Sequence, residues 1–303
     1  MKIPALLTWV VLAAVPPLAW GAPELAIVTI ADGGAVLIRD AGKLALAEGV
    51  NLRKDDIVET GSGGRMLRIE FADGLMLDLG PGSRALLSPR LGGDKLRAAS
   101  RVYLLTGLAK VTAPKGGAPA TAVISSPAYD VGTVARSAVF VVQPDESAAF
   151  AESGEVLLEE RVHDSSGSKP GGGFSLKGGE FYARHGDDKG SVMQRPTPAF
   201  IKQLPRAFQD SIPSRAALFN DRDVEPRRLD KIEYADVGAW LAADGLRTGF
   251  VTRWKAQARD PKFRSALIAN LRAHPEWGRT LFPPKYQRRP AKPDSAAPQV
   301  LKP

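Results

Sequence analysis

The reactive side chains of this chain are few. It has three histidines and no cysteine among its 303 residues. His163, His185 and His274 lie in separate segments without metal-ligand spacing. His185-Gly186-Asp187-Asp188 could touch a cation, but it reads more simply as a polar turn. The lack of cysteine removes a thiol nucleophile and any disulfide staple. Neither a Gly-x-Ser-x-Gly elbow nor a Ser-x-x-Lys motif is present. Asp55, Asp56 and Glu59 cluster, and Glu159-Glu160 follow a strand pattern. Paired carboxylates can serve as acid and base, yet on short β connections they are ordinarily solvated turn residues. Gly61-Ser62-Gly63-Gly64 lacks the Lys-Ser/Thr and the helix of a phosphate loop. These observations point away from an enzyme and imply no metal or cofactor. An acid–base site at Asp55, Asp56 and Glu59 is the catalytic alternative.

A second constellation combines aromatic and basic residues. Trp240, Trp254 and Trp277 fall near Arg247, Arg253, Lys255, Arg259, Lys262, Arg264 and Arg272. Trp240, Arg247, Arg253, Trp254, Arg264 and Arg272 form the candidate surface for a protein partner or an envelope polymer. For the tryptophans themselves a shared aromatic core is the first reading and a sugar- or peptidoglycan-binding platform the second, and several of the basic residues read as solvated helix faces. The net charge of +8 suits an anionic partner, and Lys285–Lys292, with Arg288-Arg289, would add to it.

The address narrows the partner. Met1-Lys2, an apolar run from Ile3 to Leu18 and then Ala19-Trp20-Gly21-Ala22 have the form of a secretory signal peptide, assigned to residues 1–21. The run is short for a transmembrane span and is broken by Pro4, Pro16 and Pro17. An uncleaved anchor is the other reading of it. The expectation is a periplasmic protein with no integral membrane span after signal cleavage and no nucleic-acid partner.

The elements that position these residues divide in two. Residues 22–195 read as an all-β domain, a sandwich or barrel of antiparallel hairpins. Met66–Phe71 and Leu75–Leu79 alternate with period two around Ala72-Asp73-Gly74, a strong hairpin signal. Gly33-Gly34 separates Ala26–Ala31 from Ala35–Arg39 in the same way. Strands are also expected at Val102–Thr112, Thr121–Ser125, Ser137–Gln143, Ala148–Glu152 and Glu155–Arg161. The Ser/Gly/Pro run 164–173 predicts a flexible loop, followed by a closing hairpin of Phe174–Leu176 and Glu180–Arg184 around Gly178-Gly179. After Arg195 the period becomes helical. Residues 196–282 read as a small all-α domain, with a break at Pro205 and Asp260-Pro261 starting the last helix. The Pro- and Lys/Arg-rich segment 283–303 predicts a disordered tail.

Over about residues 25–184 the chain resembles the FecR-type domain of bacterial envelope proteins. Gly34–Arg39 precedes Leu46–Gly49 and Leu52-Arg-Lys-Asp-Asp-Ile-Val-Glu-Thr-Gly61. Gly64–Gly82 then carries a Phe-x-Asp-Gly and a Leu-x-Pro-Gly, followed by Ser83. Leu105–Val111, Ile124–Pro127, Val131–Phe140, Glu152–Val156 and Leu176–Glu180 follow in the family's order. Where the family often has Arg-Gly-Thr-x-Phe, this chain has Arg136-Ser137-Ala138-Val139-Phe140. The resemblance implies a soluble, exported β domain with an appended helical region. The transmembrane regulators that name the family add a cytoplasmic helical domain and a membrane helix, so their iron-uptake signalling role is not carried over. Two functions are expected. One is a non-enzymatic periplasmic interaction or scaffold module that docks an envelope protein. The other is a peptidoglycan or envelope-polymer binder that uses the basic helical region.

Overall fold

The computed structural model describes residues 25–91, 95–164, 167–220, 222 and 224–283. The expected signal peptide 1–21 and the expected tail from residue 284 lie outside the described residues. The strands are β1 (Ala26–Asp32), β2 (Ala35–Arg39), β3 (Gly42–Ala45), β4 (Asn51–Leu52), β5 (Ile57–Thr60), β6 (Met66–Phe71), β7 (Met76–Leu79), β8 (Arg84–Leu87) and β9 (Val102–Thr112). They continue with β10 (Ala120–Ser125), β11 (Tyr129–Val134), β12 (Ser137–Val142), β13 (Glu146–Ser153), β14 (Val156–Asp164), β15 (Gly167–Leu176), β16 (Phe181–His185), β17 (Ser191–Met193) and β18 (Arg227–Lys231). The helices are α1 (Lys95–Ala98), α2 (Pro198–Gln203), α3 (Arg206–Gln209), α4 (Tyr234–Ala242), α5 (Arg247–Trp254), α6 (Pro261–Ala269) and α7 (Gly278–Leu281). No helix among the described residues is long and apolar enough to cross a membrane.

Two sheets face each other. The first runs β4-β1-β6-β7-β9-β12-β13-β16-β17. The second runs β18-β3-β2-β5-β8-β9-β10-β11-β14-β15. Pairing is antiparallel except between β9 and β10. The core between the sheets is built by alternation: Leu67, Ile69, Leu77 and Val111 from the first meet Leu37, Val58, Leu104 and Val131 from the second. Tyr129 spans the gap, its hydroxyl lying 3.0 Å from the Val141 carbonyl and 2.9 Å from that of Ala148.

Strand β9 belongs to both sheets. Val102–Thr106 pair with β8, and Gly107–Thr112 pair with β12. The bend falls at Gly107, with φ +111°. A Cβ there would lie 2.4 Å from the Cα of Ser83, so only glycine fits. Ser83 Oγ accepts from the Leu108 amide at 2.9 Å. Thr60 Oγ1 accepts from the Ser83 amide at 2.8 Å and donates to the Gly80 carbonyl at 2.6 Å. Thr60, Gly80, Ser83 and Gly107 therefore form one knot that holds the sheets together at the corner.

The Asp73-Gly74 hairpin forms as expected, with Ile69 opposite Leu77. The other two glycine-marked pairs do not. At Gly33-Gly34 the chain leaves the first sheet for the second: β1 pairs with β4 and β6, while β2 pairs with β3 and β5. Gly33 packs against residue 64 so closely that a Cβ would sit 2.3 Å from the Gly64 Cα. At Gly178-Gly179 the chain crosses back, from β15 beside β14 to β16 beside β13. The expected loop 164–173 is also corrected. Gly167–Leu176 form edge strand β15, in register with β14 from Val156↔Leu176 to Asp164↔Gly167. Phe174 and Leu176 anchor that strand in the core, and Pro170 sits in an edge strand, where a missing N–H is tolerated.

The C-terminal region is helical only in part, and its helices are short. Helices α2 and α3 break at Pro205 as expected, and Asp260 caps α6 through the Phe263 amide at 2.9 Å. But β18 intervenes and adds to the edge of the second sheet beside β3. Phe200, Leu204 and Phe208 pack on the outer face of the first sheet, against Met66, Val139 and Phe181. Trp240, Trp254, Phe263 and Trp277 pack on the outer face of the second, against Ile38, Ile57 and Leu86. Those outward apolar residues are the physical reason: a sheet apolar on both faces must be covered on both.

The corner makes a sharp prediction. Gly107→Ala should lower stability by ~2 kcal/mol or more from backbone strain and the clash with Ser83. Gly172→Ala, where nothing lies within 4 Å, should change it by less than about 0.5 kcal/mol. Urea denaturation of both variants checks this.

Candidate functional site

The outer face of the first sheet carries charge as well as apolar residues. In β6, Leu67, Ile69 and Phe71 point to the core, so Arg68 and Glu70 point outward. Asp78 of β7 and Lys110 of β9 share that face, in the cross-strand register Arg68↔Asp78 and Asp78↔Lys110. All four are only 1–8% exposed. Burying charge is costly unless each group is paired and hydrogen-bonded. Arg68 and Asp78 form a bidentate pair, Nε–Oδ1 2.6 Å and Nη2–Oδ2 2.8 Å. Lys110 Nζ lies 2.9 Å from Glu152 Oε2.

The remaining valences are met by an extended strap, residues 210–215, that follows α3 across the sheet. Arg68 Nη1 donates to the Ile212 carbonyl at 2.8 Å and lies 3.2 Å from that of Pro213. Lys110 donates to the Phe208 carbonyl in α3, just before the strap. Glu70 accepts from Thr29 Oγ1 at 2.7 Å, from the Arg215 amide at 2.8 Å and from the Ser214 hydroxyl. Burial pushes the Glu70 carboxyl up, but these bonds outweigh it and hold it below the usual carboxylate range.

Between this strap and the loop 113–119 lies an open cleft of about 820 Å³. Its floor carries Lys110, Thr112 and Ser137, and Ser137 donates to Glu152 at 2.5 Å. Proline and glycine dominate the loop wall, and Ile212 and Pro213 the strap wall. Two exposed cations, Lys115 on the loop and Arg136 on the β11–β12 turn, also line the cleft. Neither forms an ion pair among the described residues.

A second cleft, of about 630 Å³, lies between the 53–56 turn and α5. It holds two of the three carboxylates expected for acid–base work, Asp55 and Asp56, and both are engaged. Asp56 accepts from Arg39 Nε at 2.9 Å and Nη2 at 2.6 Å, and from the Arg53 amide at 2.8 Å. Asp55 pairs with Arg90 at 2.9 Å. Glu59, lining neither cleft, accepts from the Trp240 indole at 2.7 Å and lies 3.5 Å from Arg84. Burial pushes its carboxyl up, with the indole and Arg84 opposing.

The six residues expected to form a partner surface are placed differently. Trp240 and Trp254 are fully buried and Trp277 with them, so no indole face is open to stack on a sugar. They form an aromatic core at the apolar joint between the second sheet and the helices. Trp254 stacks on Phe250 at 4.7 Å and donates to the Asp40 carbonyl at 2.7 Å. Arg253 donates to the carbonyls of Asp55 at 2.6 Å and Ile38 at 3.2 Å. Arg247 bridges Asp244 at 3.0 Å and Glu276 at 3.2 Å, and Arg264 donates to the Leu281 carbonyl at 2.6 Å. Arg272 stands exposed beyond α6. Trp240, Arg253 and Trp254 thus meet at one joint, while Arg247 and Arg264 pin the helices. His274 is buried, its Nε2 3.0 Å from the Tyr234 hydroxyl, and burial pushes its imidazole down. Sequence reasoning passed over Lys115, Arg136 and the strap. The available signal was the outward row Arg68, Glu70, Asp78 and Lys110, which needs polar backbone to cover it.

No protein-family model matches the chain, and no curated protein matches it. Two crystal structures of a "putative anti-sigma factor" from Parabacteroides distasonis ATCC 8503 are similar at 16% identity. The first match covers 45% of this chain and 57% of that one, with a TM-score of 0.33. The second covers 62% and 91%, with a TM-score of 0.35. This chain spans little more than half of the first structure, and likeness at this level does not extend to function.

The strap's dependence on an ionised Glu70 can be measured. Glu70→Gln should cost about 1–3 kcal/mol at pH 7. The native carboxyl titrates below its ordinary value of 4.5. Its contribution is therefore complete above that value and is lost as pH falls through the lower native one. The stability gap between wild type and variant, from urea curves at stepped pH, should close in that acid window.

Proposed function

We propose that this chain is a non-catalytic interaction module of the bacterial envelope that works in the periplasm. It docks an envelope protein through the cleft between the first sheet and the strap. One observation carries this reading. The carboxylates that could do acid–base chemistry are engaged in structural bonds, whereas Lys115 and Arg136 stand open beside a ligand-sized cleft. The form of residues 1–22 supports the periplasmic address.

Kinship with the FecR-type domain belongs to the same proposal. Thr60, Ser83 and Gly107, three of the residues that carry the resemblance, all sit in the corner knot. What the chain would share with that family is then a framework that includes the Arg136 turn, to which its own loop and strap add the walls of the cleft.

Site-directed photo-crosslinking in the native host tests the proposal. A photoreactive side chain at Ser153, on the cleft, should capture one envelope protein, and the adduct should vanish when Arg136→Glu is added. The same probe at Lys262, on α6, should capture none. Glycan fragments from position 153, or the same species from both positions, would contradict docking at the cleft.

A further inference from the structure

We infer that the ligand of this cleft is an acidic peptide segment, held by its side-chain carboxylates between Lys115 and Arg136. The inference rests on the docking reading and gives the partner its chemistry. The lining residues include four cations, Arg68, Lys110, Lys115 and Arg136, against two carboxylates, Glu152 and Asp210. The inner pair of cations is neutralised within the fold: Arg68 by Asp78, and Lys110 by Glu152. What remains is Lys115 and Arg136, which are exposed and free of ion pairs among the described residues, against the exposed Asp210 of the strap, so the net charge of the cleft is positive.

These two cations come from different elements, the 113–119 loop and the β11–β12 turn. A ligand with several carboxylates along an extended chain can reach both. A single compact oxyanion has no preorganised pocket here. The cations on the floor, Arg68 and Lys110, already donate to carboxylates and backbone carbonyls of the fold. The walls suit a polypeptide. Pro114, Pro119 and Pro213 are flat apolar surfaces without N–H groups, and Gly116 and Gly117 leave backbone open to the cleft. The volume of about 820 Å³ matches a few residues of peptide. The floor strands β9 and β12 are already paired on both sides, so the peptide lies across the sheet and does not extend it.

Fluorescence anisotropy with the full mature chain provides the test. The probe is a fluorescein-labelled peptide of alternating Glu and Ala, with Gln-for-Glu and Lys-for-Glu peptides as controls. The Glu peptide should bind at least tenfold more tightly than either control and weaken as salt rises. A Lys115→Glu/Arg136→Glu double variant should lose at least tenfold in affinity with an unchanged melting temperature, since both side chains are exposed. Equal binding of the Glu and Gln peptides would overturn the inference, as would full affinity in the double variant. Inorganic phosphate that displaces the peptide at matched ionic strength and binds more tightly would overturn it in favour of a small-oxyanion site. If the Ser153 adduct persists while the Glu peptide fails to bind, docking stands and its acidic chemistry falls.

Discussion

Four charged side chains on the outer face of the first sheet govern the course of the C-terminal chain. Arg68, Glu70, Asp78 and Lys110 occupy positions that alternation forces outward, yet they are buried. An apolar cover would leave them with unmet valences and a large desolvation cost. A run of backbone carbonyls, amides and a serine hydroxyl does not, and the strap presents these groups in order. Fixing the strap places α2 and α3 over the apolar part of the same face. It also sends the chain across the molecule to β18 and the second helical layer. The cleft is a by-product of the same constraint, since it is the space left where the strap and the 113–119 loop flank the sheet without meeting.

The corner at Gly107 works with that constraint from the other side. Because β9 runs in both sheets, the inward residues of each are held in one register and the outward charges of the first sheet have fixed neighbours. Thr60, Ser83 and Gly80 tie the corner by short polar bonds. The side chains of Thr60 and Ser83 therefore do framework work at this corner.

Local pattern was legible where two strands pair with each other. Alternation around Asp73-Gly74 led directly to the β6–β7 hairpin, and most of the β1–β16 strands can be read from periodicity. It was ambiguous where glycines mark a turn. Gly33-Gly34 and Gly178-Gly179 look like hairpin turns, but both are crossings between sheets. The deciding contact, such as Gly33 against Gly64, is distant in sequence. Composition misled at 164–173, because a Gly/Ser/Pro run with little strand preference is held by its partner β14. At the site, helical spacing put Trp240 and Trp254 in two neighbouring helical runs but could not say whether they met solvent or a sheet. The outward Ile38, Ile57 and Leu86 of the second sheet answered that question. Lys115 and Arg136 carry no signal singly. They become a candidate site only when fold and strap bring a loop and a turn to one cleft.

The strap is an integral part of the fold, locked by the buried charges beneath it. Native-state amide hydrogen exchange tests it most directly. The amides of Arg215 and Ala216, which bond to Glu70, should open with the same free energy as those of β6 and β7. If they exchange as fast as a free loop while β6 and β7 stay protected, the strap is not what satisfies the buried charges, and the account is wrong.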